Sequence, residues 1–283
     1  MVHFKTSDNA KARGLTKTDI ECVKTWENPF QHSVWTQEEV ESVKQTHRPV
    51  KGIADALAYY AVRYARLWFD GLSGYHPDRV TKEIVVNRAI FLETVAGVPG
   101  MAGGMMRHLS SLRNMKRDHG WIHTLLEEAE NERMHLLTFV QMKCPGPFFR
   151  AAVVGAQGIF MTGFLAAYII YPPICHRFVG YLEEEAVHTY TDIIRAIDLD
   201  VGGLGAWKSE PAPKIAIDYW HMRPDATIRD LMLVVRADEA THRDVNHTLS
   251  DLGPDQVNPF VLSAAATSPE TKQTSALKDA SSA

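Results

Sequence analysis

Cysteine is scarce in this chain of 283 residues: Cys22, Cys144 and Cys175 are odd in number and show no Cys-x-x-Cys spacing. That pattern points away from a disulfide framework or a thiolate zinc site and toward reduced thiols. An excess of charge of one sign is missing too. Thirty Lys and Arg stand against 34 Asp and Glu, a formal net charge of −4, so there is no basic footprint for nucleic acid. The first 20 residues lack the apolar stretch of a secretion signal, although Lys5, Lys11, Arg13 and Lys17 are there. Asp8 and Asp19 speak against a transit peptide. What the chain does have is 45% apolar residues and a length that affords a large core.

Both ends are poor in periodic apolar residues. Residues 1–48 read as an extended arm, with Trp26, Pro29, Phe30 and Trp35 as anchors. Residues 253–283 read as a C-terminal tail, and Ser263 to Ala283, rich in Ser, Thr, Ala and Lys, as disordered. A helical domain over 49–252 remains between them.

Within that domain Glu-x-x-His occurs three times, at Glu132/His135, Glu185/His188 and Glu239/His242. Seventeen Glu and 13 His would place about one such pair by chance. On a helix the spacing puts both side chains on one face. Two such helices, with a single Glu from each of two more, make the ligand set of a di-iron carboxylate four-helix bundle.

The single glutamates are found by periodicity. From Asp78 to about Ala96 the pattern is helical, and Val86, Ala89, Ile90, Glu93 and Ala96 share an apolar stripe. A charged Glu93 there costs several kcal/mol unless paired or bound to metal. Gly97, Pro99, Gly100, Gly103 and Gly104 then predict a loosened helix, and Arg107 to His119 a polar connector. In the helix from Gly120 to Met142, Glu128 and Glu132 both face inward, and Glu132 is preferred because it alone has His at i+3. In the helix Gly180 to Ile197, Glu183 shares the apolar stripe with Ala186, Val187, Tyr190 and Ile194. Glu185 and His188 fall on the polar side. The helix Thr227 to Leu249 places Glu239, His242 and Asn246 inward, with Asp238 able to orient a histidine from behind.

Two further stretches are apolar. Ile53 to Asp70 has an aromatic face beside Arg63 and Arg66, suited either to a membrane surface or to an ordinary bundle. Ala151 to Tyr171 runs 21 residues without charge. It is long enough to span a bilayer, yet fits better as the long crossover between two helical hairpins, with one face in lipid. The fold class expected from the residues is all-α, a ferritin-like di-iron four-helix bundle; that it carries two additional membrane-associating helices is what the resemblance below implies.

Four segments carry a resemblance. Leu92-Glu93-Thr94, Asn131-Glu132-Arg133-Met134-His135-Leu136, Leu182 to Tyr190 and Arg236 to His247 resemble the four signature motifs of the alternative oxidases, the trypanosomal branch most of all. These are cyanide-insensitive ubiquinol oxidases of the mitochondrial inner membrane. The similarity covers roughly residues 50–250. It implies a homodimer bound to the matrix-side leaflet through two helices. It also implies two non-haem irons held by Glu93, Glu132, Glu183 and Glu239 with His135 and His242, the histidines acting on iron or through hydrogen bonds. A ubiquinol pocket would comprise Arg88, Leu92, Glu185, Ala186 and Thr189, with Arg66, Asp70 and His176 near it. The reaction implied oxidises two ubiquinols for each dioxygen reduced to two waters, with no proton pumping. Tyr190, two turns from Glu183, would give an electron as a tyrosyl radical; otherwise it is a buried, hydrogen-bonded tyrosine. A di-iron hydroxylase acting on a quinone precursor, a ferritin-like iron store and a metal-free scaffold remain open on the residues alone.

Overall fold

The computed structural model describes His32 and residues 34–261. Cys22, Trp26, Pro29, Phe30 and the segment Ser263–Ala283 lie outside them. Among the described residues there is no strand, only an isolated bridge between Pro211 and Thr227. The helices are α1 (Gln37–Glu41), α2 (Ile53–Ser73), α3 (Lys82–Asn114), α4 (Trp121–Met142), α5 (Pro147–Ile170), α6 (Pro172–Asp198), α7 (Lys214–Tyr219) and α8 (Ile228–Asp251).

Local chemistry sets their starts. Thr81 caps α3 through the amide of Ile84, and Thr227 with Asp230 forms a reciprocal capping box on α8. Pro147 and Pro172 open α5 and α6, where a missing amide hydrogen costs nothing. Because Pro172 opens it, α6 begins two turns earlier than the expected Gly180.

The four-helix bundle consists of α3, α4, α6 and α8, with the most extensive packing between α3 and α4 and between α6 and α8. Helix α5 joins the two pairs and lies against α3 and α6, the place of a crossover. Helix α2 runs parallel to α6. Asp55 meets Arg177 at 3.0 Å, and three turns further along Arg66 meets Glu185 at 2.6 Å.

One expectation is overturned. Helix α3 does not loosen at Gly97–Gly104 but continues through Pro99 to Asn114, and the connector shrinks accordingly. The glycines serve proximity instead. A Cβ on Gly100 would stand 2.5 Å from the Leu125 carbonyl oxygen, so α3 and α4 cross at backbone contact. After α6, a 3-10 segment over Val201–Lys208 turns on Gly202 (φ 59°) and buries Leu204 and Trp207.

The described part of the arm is docked. Val40 is buried, its carbonyl accepts from Arg236 at 2.8 Å, and the Lys44 carbonyl accepts from Arg243 at 2.9 Å. Glu184 gathers His47 (2.7 Å), His247 (2.9 Å) and the Arg48 amide (2.7 Å). Beyond α8, Asn258 is fully buried and donates to the Gly120 carbonyl and to Thr124.

Among the described residues, two faces stay apolar and uncovered. On α2, Ile53, Leu67 and Leu72 are 82%, 72% and 80% exposed, and α5 buries only Phe164 and Tyr168. By length and composition α3 and α5 could each cross a membrane, but α3 is partly spent on the bundle.

Candidate metal centre and its cavity

Each bundle helix contributes a glutamate to one buried point: Glu93 from α3, Glu132 from α4, Glu183 from α6 and Glu239 from α8. With His135 and His242 they form two groups of four. Glu93, Glu132, His135 and Glu239 make one, Glu132, Glu183, Glu239 and His242 the other, with ligand atoms in each within 4.8 Å of one another. Glu132 and Glu239 belong to both groups. All six side chains are buried, His135 completely.

Four carboxylates cannot stay ionised together in such a place without cations. Burial and the neighbouring Glu132 push Glu93 well above the usual carboxylate range, and burial with Glu239 and Glu132 does the same to Glu183. Burial would raise Glu132 too, but the nearness of His135 and His242 outweighs it and holds this group down. Burial opposes charge on both histidines, yet the carboxylates around them, with Asp238 for His135, raise both well above the ordinary range. The geometry tells the same story. His242 Nδ1 lies 2.7 Å from Glu132 Oε1, and His135 Nδ1 lies 3.4–3.6 Å from Glu239, Glu93 and Glu132. Despite that proximity, both Glu132 oxygens and both Nδ1 atoms lack a hydrogen bond of acceptable angle. Converging hard donors, buried and mutually unsatisfied, are what a pair of oxygen-seeking metal ions would complete.

Behind His135, Asp238 fixes the ring. Its Oδ2 faces His135 Nε2 at 3.1 Å and accepts from Trp220 at 2.7 Å and Asn131 at 3.0 Å. Its Oδ1 accepts from Trp35 at 2.7 Å and lies 2.9 Å from His32 Nε2. The Trp220 ring stacks on His135 with centroids 5.7 Å apart. On another side Glu128 turns away from the cluster, both its oxygens accepting from Asn246 Nδ2 at 2.9 Å. Burial pushes Glu128 up to about 7. The rival to Glu132 is thus engaged elsewhere.

A cavity of about 290 Å³ reaches the cluster from the side of α2 and α5. Its walls include Glu93, Glu183, Glu239 and Tyr190, and also Arg88, Leu92, Glu185, Ala186 and Thr189. Tyr190 donates to Glu93 Oε1 at 2.7 Å, and burial beside that carboxylate raises its phenol well above the ordinary value. Arg88 bonds Ser73 at 3.0 Å and Asp70 at 2.6 Å and lies against the Tyr75 and Phe69 rings, while its buried Nε has no partner. Glu185 is paired with Arg63 at 2.5 Å and Arg66 at 2.6 Å, and Arg66 also reaches Thr189 at 3.1 Å. His188 faces Asp192 on the polar side of α6.

His176 is not in this cavity. It sits inside the bundle between Tyr168 (3.1 Å) and Asn246 (3.2 Å), and burial lowers its pKa to about 4. Sequence reasoning also missed the aromatic wall of the cavity, Phe69, Phe91, Phe160 and Phe178. Those four rings come from four helices, and no spacing within one segment marks them.

The comparisons with known proteins agree with this layout. A sequence model of the family described as alternative oxidase matches residues 35–251, which include all six cluster residues. Proteins named mitochondrial alternative oxidase are similar along most of the chain. The Aspergillus niger protein is 52% identical over 241 residues, covering 81% of this chain and 68% of the relative. The Trypanosoma brucei brucei protein is 52% identical over 232 residues, covering 81% and 70%. That of Neurospora crassa is 47% identical over 251 residues, covering 81% and 68%. With four glutamates and two histidines brought together from four helices inside the matched span, the chain belongs to the alternative oxidase family.

Proposed function

We infer that this oxidase oxidises ubiquinol and reduces dioxygen by four electrons to water at two non-haem irons. One observation carries the reading: a single cavity touches three cluster carboxylates, a redox-capable tyrosine and an unspent cationic donor, Arg88 Nε. Glu132 and Glu239, common to both groups of four, would help hold both irons. Glu93 and Glu183 would each hold one, and His135 and His242, with Nδ1 turned to the glutamates, would complete the set. When bound, the irons supply the electrons for oxygen reduction and accept them from quinol.

The chain's residues do the rest. The unpaired Arg88 Nε–H is a donor for a quinol or quinone oxygen, and Leu92, Ala186 and Phe69 give the ring an apolar bed. Arg66 and Glu185 hold each other and Thr189 in place beside it. Glu93 Oε1 already accepts the Tyr190 hydrogen bond, so the phenolic proton has a place to go when Tyr190 gives up an electron. Two ubiquinols release four electrons and four protons, which one dioxygen takes up as two waters.

The exposed apolar faces of α2 and α5 support an interfacial attachment to one leaflet, bringing the cavity to the depth of a lipid-borne quinol. In line with relatives named mitochondrial, the site of action would be the matrix side of the inner membrane, as a homodimer. The test is oxygen uptake with a short-chain ubiquinol. Water as the sole oxygen product is expected; a hydroxylated quinone would show a hydroxylase instead, and no uptake would end the oxidase reading. For the ligands, Glu132→Ala and Glu239→Ala should each lose the iron pair, and His135→Ala and His242→Ala should retain more metal. Equal loss in both kinds of variant would make the histidines obligatory ligands.

A further inference from the structure

The cavity has two unlike halves, divided by the cluster. On α3, Arg88 and Leu92 precede Glu93, whereas Val95 and Ala96 follow it. On α6 the order is reversed: Phe178 and Leu182 precede Glu183, whereas Glu185, Thr189 and Tyr190 follow it. One half therefore holds every polar group other than the cluster. The other is walled by Val62, Val95, Ala96, Phe160, Phe178 and Leu182, with no side-chain donor or acceptor. Helix α2 keeps the same order, with Val62 packed near Phe178 and Tyr181 and Phe69 stacked on Phe91 near Arg88.

The remaining approaches to the cluster are filled. Asp238 with Trp220, Trp35 and Asn131 stands behind His135, and Glu128 with Asn246 stands beside His242. None of these lines the cavity. Two substrates must then reach the same carboxylates through one space. A quinol ring seated at Arg88 and Thr189 would block the polar half for as long as it stays.

We propose that the apolar half, between Ala96, Phe160 and Phe178, is the route and waiting site of dioxygen. This rests on the oxidase reading above. Dioxygen has no charge or hydrogen-bonding demand, and a quinone head with two oxygens finds no donor there. The walls come from α3, α5 and α6, and α5 carries an uncovered apolar face. Gas dissolved in lipid beside α5 would have only these apolar walls between it and Glu93, Glu183 and Glu239. Separate halves let oxygen arrive while quinol is bound.

Xenon, an apolar probe of similar size, tests the site without turnover. Crystals of the protein pressurised with xenon should show it beside Ala96, Phe160 and Phe178, and Ala96→Phe should remove it. In solution Ala96→Phe should raise KM for dioxygen by about fivefold or more, with KM for short- and long-tailed quinols unchanged. Phe160→Ala, which widens the passage, should leave KM for dioxygen equal or lower, and it serves if Ala96→Phe fails to fold. Xenon bound only elsewhere would overturn the proposal. So would a raised KM for long-tailed quinol alone, which would give this half to the isoprenoid tail. A wild-type protein that binds xenon here yet consumes no oxygen with quinol would instead refute the oxidase reading.

Discussion

Asp238→Asn isolates the support behind the metal centre. Asp238 uses Oδ2 for His135, Trp220 and Asn131, and Oδ1 for Trp35 and His32. An asparagine with its oxygen in the Oδ2 position keeps the inner three contacts. Its amide then faces the Trp35 N–H, donor against donor, and the negative charge behind His135 is gone. Partners that orient a metal-bound histidine contribute about 10- to 100-fold in metal affinity. At about 1.4 kcal/mol per factor of ten, that is a loss of about 1.4–2.8 kcal/mol. Asp238→Ala goes further, leaving the Trp220, Asn131 and His135 donors buried without an acceptor. At about 1–3 kcal/mol each, the fold should lose at least about 3 kcal/mol. The assay is iron per chain in competition with a graded chelator, beside a denaturant midpoint, and Asp244→Asn on the exposed side of α8 is the control. Asn at wild-type iron affinity would refute the idea that Asp238 acts through His135.

Three other outcomes follow from the geometry. Tyr190→Phe should keep both irons and most of its stability, since one hydrogen bond to Glu93 is worth about 1 kcal/mol, but lose most oxygen reduction; near-normal ubiquinol oxidation would leave Tyr190 a packing residue. Gly100→Ala should destabilise by about 1–3 kcal/mol, because its Cβ would stand 2.5 Å from the Leu125 carbonyl oxygen; an unchanged melting point would mean that α3 and α4 part freely. His176 titrates at about 4 in the fold and near 6.5 when unfolded, so the unfolded chain binds the proton first as pH falls. Its contribution is therefore full above about pH 6.5 and is lost towards pH 4, by roughly 3 kcal/mol; His176→Gln should remove that slope, and an identical slope would show His176 to be solvated.

The glutamates of the centre were readable in the sequence because each interrupts an apolar stripe, where a charge is costly enough to be informative. Glu183 was separable from Glu185 on the same ground. The pairing of Glu185 with Arg63 and Arg66, and of Glu184 with His47, crosses 119 residues or more, and no local period encodes it. The glycines of α3 misled for a physical reason. Their weak helix propensity predicts a break, but close backbone packing on α4 outweighs a cost of about 1 kcal/mol for each. His176 lies on α6 in the turn just before Val179 and Gly180, yet the α8 contact with Asn246 turns it inward rather than toward the cavity.

Glu132 and Glu239, common to both halves of the cluster, come from helices 107 residues apart in sequence, the separation of Asn131 from Asp238. The α3–α4 hairpin by itself can offer only Glu93, Glu132 and His135. Every full set of four also needs α8, which follows both the crossover and α6 in the chain. Such a centre depends on contacts far apart in sequence, and these are the slow ones to form. Metal capture would then act as a latch on the finished bundle: bound iron should slow unfolding far more than it speeds folding. A chain stalled before α8 docks would lack Glu239 and His242, so it could close neither group of four and would hold iron weakly.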